Sequence, residues 1–149
     1  MQDADMMREA IAQAQLALDE GEMPVGCVIA KDGEIIARGR NLREQTGDPT
    51  AHAEIVAIRE AARVLGDWRL EGCTLCVTLE PCPMCAGAIS QARVARVVYG
   101  APDEKYGCAG SVYRIPEDPA FGHFCRCDGG VLAGECAALV NRFFGEKRG

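Results

Sequence analysis

The sequence predicts an α/β fold in a single domain. Runs rich in β-branched and apolar residues alternate with stretches of helical periodicity along the chain. Its 149 residues, 48% of them hydrophobic, suit one domain with a sizeable core. No linker, internal repeat or low-complexity stretch divides it, so residues 1–149 read as one unit.

Met7, Ala10, Ile11, Ala14 and Leu18 recur at helical spacing, which predicts an amphipathic helix over 4–20 with Gly21 as its stop. Val25 to Ala30 reads as a buried strand. Lys31-Asp32-Gly33-Glu34 is a tight hairpin turn into a second strand over 35–40. Asn41 to Pro49 is polar and rich in turn residues, a natural wall for a pocket. From 51 to 65, Ile55, Ile58, Ala62 and Leu65 mark the buried side of the next helix. Cys73 to Leu79 is a β-rich strand, 83–92 a helix, and 94–99 another strand. The stretch 101–120 is irregular, with room for a short helix. A last strand spans 123–132, weakened at its end by Asp128-Gly129-Gly130, and a helix over 133–144 closes the pattern.

Composition excludes several function classes. Charged residues interrupt every apolar stretch, so no segment reads as a membrane span, and the acidic N-terminus lacks the layout of a secretory signal. A soluble, cytoplasmic protein is expected. Nine cysteines without an export signal point to reduced, buried thiols and one metal site, not a disulfide framework. The net charge of −6 argues against a broadly basic, polyanion-binding surface. Its distribution tempers that: up to Glu22, six acids face only Arg8, leaving the remainder at −1. Arg142, Lys147 and Arg148 make a mildly basic tail.

The chemistry concentrates in His52-Ala53-Glu54 and Pro81-Cys82-Pro83-Met84-Cys85. One imidazole and two thiolates suit zinc, which favours four tetrahedral ligands and in catalytic sites keeps one position for water. Cysteines three apart on a helix share a face, so Cys82 and Cys85 can reach one ion, and a helix N-terminus favours thiolate. A purely structural zinc normally takes four protein ligands. His52, Cys82 and Cys85 are therefore the candidate metal ligands. Glu54, left over beside them, is the candidate catalytic acid and base, taking the proton of a zinc-bound water and passing it to the ring nitrogen and the leaving amine. The order His-x-Glu then Pro-Cys-x-x-Cys is the known signature of zinc nucleobase deaminases, matched here as a pattern. Asn41 and the backbone around Ala53 are candidate substrate-binding groups.

The other cysteines read differently. Cys73 and Cys76 lie three apart in a strand, on opposite faces, so they are expected in the core. Cys125 and Cys127 share a strand face. Cys27, Cys108 and Cys136 read as small buried residues. His123 is expected to cap or hydrogen-bond near a strand start, with zinc ligation a lesser alternative.

At these residues the chain resembles the bacterial tRNA-specific adenosine deaminases, within the cytidine-deaminase-like superfamily. The resemblance runs from Met6 to Phe144. Beyond the two motifs it is carried by Met23-Pro24-Val25-Gly26, Asp48-Pro49-Thr50-Ala51, Val97-Val98-Tyr99-Gly100-Ala101, Asp103, Lys105, Ala109-Gly110-Ser111 and the stretch Gly130 to Leu139. The chain departs from that family at Pro102 and Gly122. The resemblance implies a three-layer α/β/α fold with a mixed five-stranded sheet between helices, a homodimer, one Zn2+ per subunit and no organic cofactor. It implies that His52, Cys82 and Cys85 hold zinc, that Glu54 shuttles protons, and that Asn41 and the backbone near Ala53 contact a flipped-out base. The implied reaction is adenosine to inosine at the wobble position of a tRNA anticodon stem-loop. A deaminase of a free purine such as guanine is the alternative, since related enzymes carry the same two motifs. The C-terminal helix ending Phe143-Phe144 favours the tRNA branch.

Overall fold

A computed structural model describes residues 1–148, with side chains as far as Glu146; those of Lys147 and Arg148, in the expected basic tail, lie outside the described residues. The described elements are α1 (Asp3–Asp19), β1 (Gly26–Lys31), β2 (Glu34–Arg40), a short α2 (Arg43–Thr46), α3 (Ala53–Leu65), β3 (Cys73–Leu79), α4 (Pro83–Gln91), β4 (Arg96–Ala101), β5 (Arg126–Asp128) and α5 (Ala133–Arg148). A 3-10 turn, Pro119–Phe121, is the short helical piece in the irregular stretch. The sheet is five-stranded, in the order β2-β1-β3-β4-β5. β1 pairs antiparallel with β2 and β3, whereas β3–β4 and β4–β5 are parallel. Parallel neighbours need a crossover, and α4 provides the one between β3 and β4.

Alternation along the strands builds two cores. Cys27, Ile29, Leu75, Val77 and Val97 face α3 and α4 on one side. Val28, Ala30, Cys76 and Val98 face α1 and Cys136 of α5 on the other. Cys73 and Cys76 accordingly fall in opposite cores. The result is the three-layer arrangement of a mixed sheet between helices.

The turn into β2 holds Asp32 and Gly33 at φ 52° and 78°, the left-handed pair that matches the twist of a two-residue hairpin. Three elements differ from the sequence reading. The buried face of α3 is Ala53, Ala57 and Ala61, with Ile58, Ala62 and Leu65 only partly buried against the core. The reason is the close approach of β2: a Cβ on Gly39 would lie 2.5 Å from the Ala53 carbonyl oxygen and 2.7 Å from the Ala57 nitrogen. β4 starts two residues later than expected because Arg93, at φ 61°, and the Val94 N–H donating to Ile89 still close α4. β5 is reduced to three residues. Gly129 packs under Tyr99, its Cβ position 2.2 Å from the ring, and Gly130 and Leu132 turn to φ 90° and 52°.

Candidate active site

Two helix N-termini converge beyond the end of β3. His52 is the N-cap of α3, extended at φ −72°, ψ 156°, and Cys82 is the N-cap of α4, at φ −75°, ψ 174°. Pro83 occupies the first turn of α4, where a missing N–H costs little. Upstream, Asp48 Oδ1 accepts from the Thr50 N–H and hydroxyl, fixing the approach to His52. His52 Nδ1 then lies 3.7 Å from Cys82 Sγ and 3.5 Å from Cys85 Sγ. Tetrahedral zinc with ordinary Zn–N and Zn–S bonds requires an N···S separation of about 3.6 Å. Among the described residues, these three form the group of His, Cys, Asp or Glu donors close enough to share an ion, within 4.8 Å of one another. The donor set and its spacing fit zinc.

The electrostatics of the cluster point the same way. Cys85 donates its thiol hydrogen to Cys82, which drops the Cys82 thiol to about 4, and His52 adds to that lowering. Cys85, the donor of the pair, is pushed up. The hydrogen bond with Cys82 raises His52. Glu54 sits in the first turn of α3, buried to 4% exposure. Burial, reinforced by Cys82, pushes its carboxyl up to about 7. A carboxyl raised this far is matched to proton transfer near neutral pH.

His52, Ala53, Glu54 and Cys82 line a cavity of about 450 Å³. That volume lies within the usual range for small-molecule sites. Asn41 also lines it and is itself buried; its Oδ1 accepts from the Arg43 N–H, which leaves the Nδ2 hydrogens for a ligand. Tyr106, Phe143 and Phe144 line other parts of its wall. A groove of about 580 Å³ between β2 and α3, lined by Ile36, Arg38, Arg59 and Arg63, is larger but contains none of these donors. The chemistry therefore places the site in the smaller cavity.

The remaining candidates separate from it. His123 Nε2 meets the Val94 carbonyl oxygen at 2.7 Å, outside the donor cluster. Cys125 and Cys127 pack on the α3/α4 core, and Cys27, Cys108 and Cys136 are buried. All nine cysteines are free thiols, none in a disulfide.

Two carboxylates on the cavity wall carry no role in the sequence reading. Glu22, 1% exposed, accepts the N–H groups of Glu44 and Gln45 and so caps α2 beside Asn41. Glu80, 3% exposed, accepts from three backbone N–H groups and a hydroxyl beyond β4. The only signal in the sequence is position: each Glu stands beside constrained residues, in Gly21-Glu22-Met23-Pro24 and Leu79-Glu80-Pro81.

The cytidine and deoxycytidylate deaminase zinc-binding region matches residues 1–101, and a zinc-binding deaminase is the class that fold and cluster define. The tRNA-specific adenosine deaminase of Bacillus subtilis (strain 168) is 50% identical over 147 residues, covering 99% of this chain and 91% of its own. That of Streptococcus pyogenes serotype M18 is 47% identical, covering 95% of this chain and 89% of its own. The chain belongs to the tRNA-specific adenosine deaminase family. A structure from a study of A-to-I editing by tRNA:A34 deaminases at the wobble position superposes with a TM-score of 0.87 at 43% identity, over 91% of this chain and 98% of that one. A guanine deaminase from Bacillus subtilis gives 0.66 at 45% identity, over 68% and 66%.

Proposed function

We propose that this protein, one deaminase domain throughout, converts adenosine to inosine at the wobble position of a tRNA anticodon loop. One water is consumed and one ammonia released. The observation that supports this best is the buried Glu54 carboxyl beside a three-donor cluster at a cavity of nucleobase size. His52, Cys82 and Cys85 would hold zinc, which when bound lowers the pKa of a coordinated water towards neutrality. Glu54 takes a proton from the attacking water and places it on N1 of the adenine ring as C6 becomes tetrahedral. It then carries the second proton to the departing amine, so that ammonia leaves and the C6 carbonyl forms. The Asn41 amide donates to a ring acceptor, and the backbone near Ala53 helps orient the base. An unpaired anticodon loop lets the base leave its stack at low cost.

Deamination of a free purine is the second reading, favoured by the 45% identity to a guanine deaminase. That similarity covers a smaller share of the chain and at a lower TM-score than the tRNA-deaminase match. Homodimeric assembly and a cytoplasmic location complete the proposal and rest on the family resemblance; no helix among the described residues is long and apolar enough to cross a membrane. The test is inosine formation and ammonia release on an adenosine-containing anticodon stem-loop, beside free guanine, adenine and cytosine. The expected result is inosine in the stem-loop, reduced at least about a hundredfold in Glu54→Ala, as for loss of a general acid–base group. Turnover of a free base with the stem-loop untouched would overturn the tRNA reading.

A further inference from the structure

We infer that Glu80 is a positioning residue: it tethers the segment 103–111 along the active-site cavity and thereby sets the affinity for a polynucleotide substrate. The inference rests on the reading of the site just given. Glu80 directly follows the strand β3, two residues before Cys82, and at 3% exposure it is a buried carboxylate. Its hydrogen-bond donors among the described residues are backbone N–H groups and a hydroxyl. It is compensated by the Asp103 N–H on Oε1 at 3.0 Å, the Ala109 and Ser111 N–H groups on Oε2 at 3.0 and 2.9 Å, and the Ser111 hydroxyl on Oε1. Burying a charge is costly unless its lone pairs are filled, and here donors spread over nine residues of one loop fill them. The neighbouring backbone adds to the tether: the Glu80 N–H donates to Ala101 and the Cys108 N–H to the Pro81 carbonyl.

The loop is shaped to receive this carboxylate. A Cβ on Gly107 would lie 2.4 Å from the Glu80 carboxyl carbon and from the Asp103 carbonyl oxygen. Asp103 relays the order outward, since its Oδ1 accepts the N–H groups of Lys105 and Tyr106, each at 3.0 Å. Asp103 and Tyr106 both line the cavity, and Tyr106 is 58% exposed, with the Lys105 ammonium 5.4 Å from its ring centroid. An exposed aromatic and a cation, held in place from below, suit the bases and phosphates that flank a flipped nucleotide.

Glu80→Gln keeps the shape and removes the match. Whichever way the amide turns, its NH2 group faces a backbone N–H, either that of Asp103 or those of Ala109 and Ser111. The zinc-loaded, full-length protein would be assayed on the anticodon stem-loop, with zinc content and amide hydrogen exchange measured alongside. The expected result is a KM about tenfold higher with kcat within about twofold, the size of one lost hydrogen bond to a charged group. Zinc stays at one per chain, and exchange speeds up at 103–111. A fall in kcat and zinc content at unchanged KM would overturn the inference and make Glu80 a support of the metal turn alone. If Glu80→Gln does not fold, Ser111→Ala decides, a KM rise of about threefold supporting the tether and an unchanged KM overturning it. Should the wild type leave the stem-loop untouched, the functional proposal falls separately. The tether is then judged by exchange at 103–111, faster supporting it and unchanged overturning it.

Discussion

In the proposed function Asn41 divides its hydrogen-bonding groups between structure and ligand. Its Oδ1 accepts the Arg43 N–H at 3.1 Å, an internal turn that orients the amide, and this leaves the Nδ2 hydrogens as donors on the cavity wall. Substitution by aspartate separates the two roles, because it keeps the acceptor and removes the donors. Asn41→Asp is therefore expected to keep its zinc content while kcat/KM on the stem-loop falls at least about tenfold, with a lower Tm because the new carboxylate is buried. An unchanged kcat/KM would remove Asn41 from the substrate contacts. Glu54 differs in kind: its proposed proton-transfer role rests on burial, which lifts its carboxyl to about 7.

At the scale of elements, the site depends on how closely helices approach the sheet. α3 delivers His52 and Glu54, and its distance from β2 is set by Gly39 against Ala53 and Ala57. Gly26 makes the equivalent approach to α1, where a Cβ would lie 2.0 Å from the Ala10 carbonyl oxygen. Backbone cannot yield as a side-chain tip does, so a methyl at either position must move a helix. Gly39→Ala is expected to destabilise by about 3 kcal/mol, roughly 10 °C in Tm, and to lower activity by shifting the first turn of α3. Gly134→Ala, in the exposed first turn of α5 with open space around it, should instead stabilise by about 0.5–1 kcal/mol. Thermal unfolding of the two variants reads both signs, and equal effects would show that close packing at Gly39 is not the cause.

Across the whole molecule, Arg96 on β4 joins three separate parts of the chain. It grips Asp3, at the start of α1, through 2.9 and 2.7 Å bonds and Asp128, in β5, at 2.9 Å. The hydrogen bond from Arg96 holds the Asp3 carboxyl below its ordinary value of 3.8. A group depressed in the folded state stabilises fully above its unfolded pKa and loses that contribution as pH falls through the folded one. Asp3→Asn should thus lower Tm near neutral pH, and the gap should close as pH drops below 3.8. The pair is partly exposed, so about 1 kcal/mol or less is expected, a gap of roughly 2–4 °C. A gap that persists unchanged in acid would assign the effect to the α1 terminus and not to the ion pair.

The residues that make the site were legible because their signals are local. Donor types, the i, i+3 spacing of Cys82 and Cys85, and the carboxylate beside His52 are readable in a few residues each, and so is the alternation of strands and helices. The same locality explains where the reading of α3 was only partly right, since Ile58, Ala62 and Leu65 do pack against the core but half-buried. Periodicity selected its bulkiest apolar residues, Ile55 and Ile58, whereas close packing on Gly39 gave the buried face to alanines. Tertiary structure alone decided the roles of Glu22 and Glu80. A glutamate in a sequence is by default a solvated charge. These two become buried wall groups only because backbone donors some 20 to 30 residues away in the chain turn inward to meet them. Which amides converge on a carboxylate is a property of the folded path of the chain and is absent from any single segment of it.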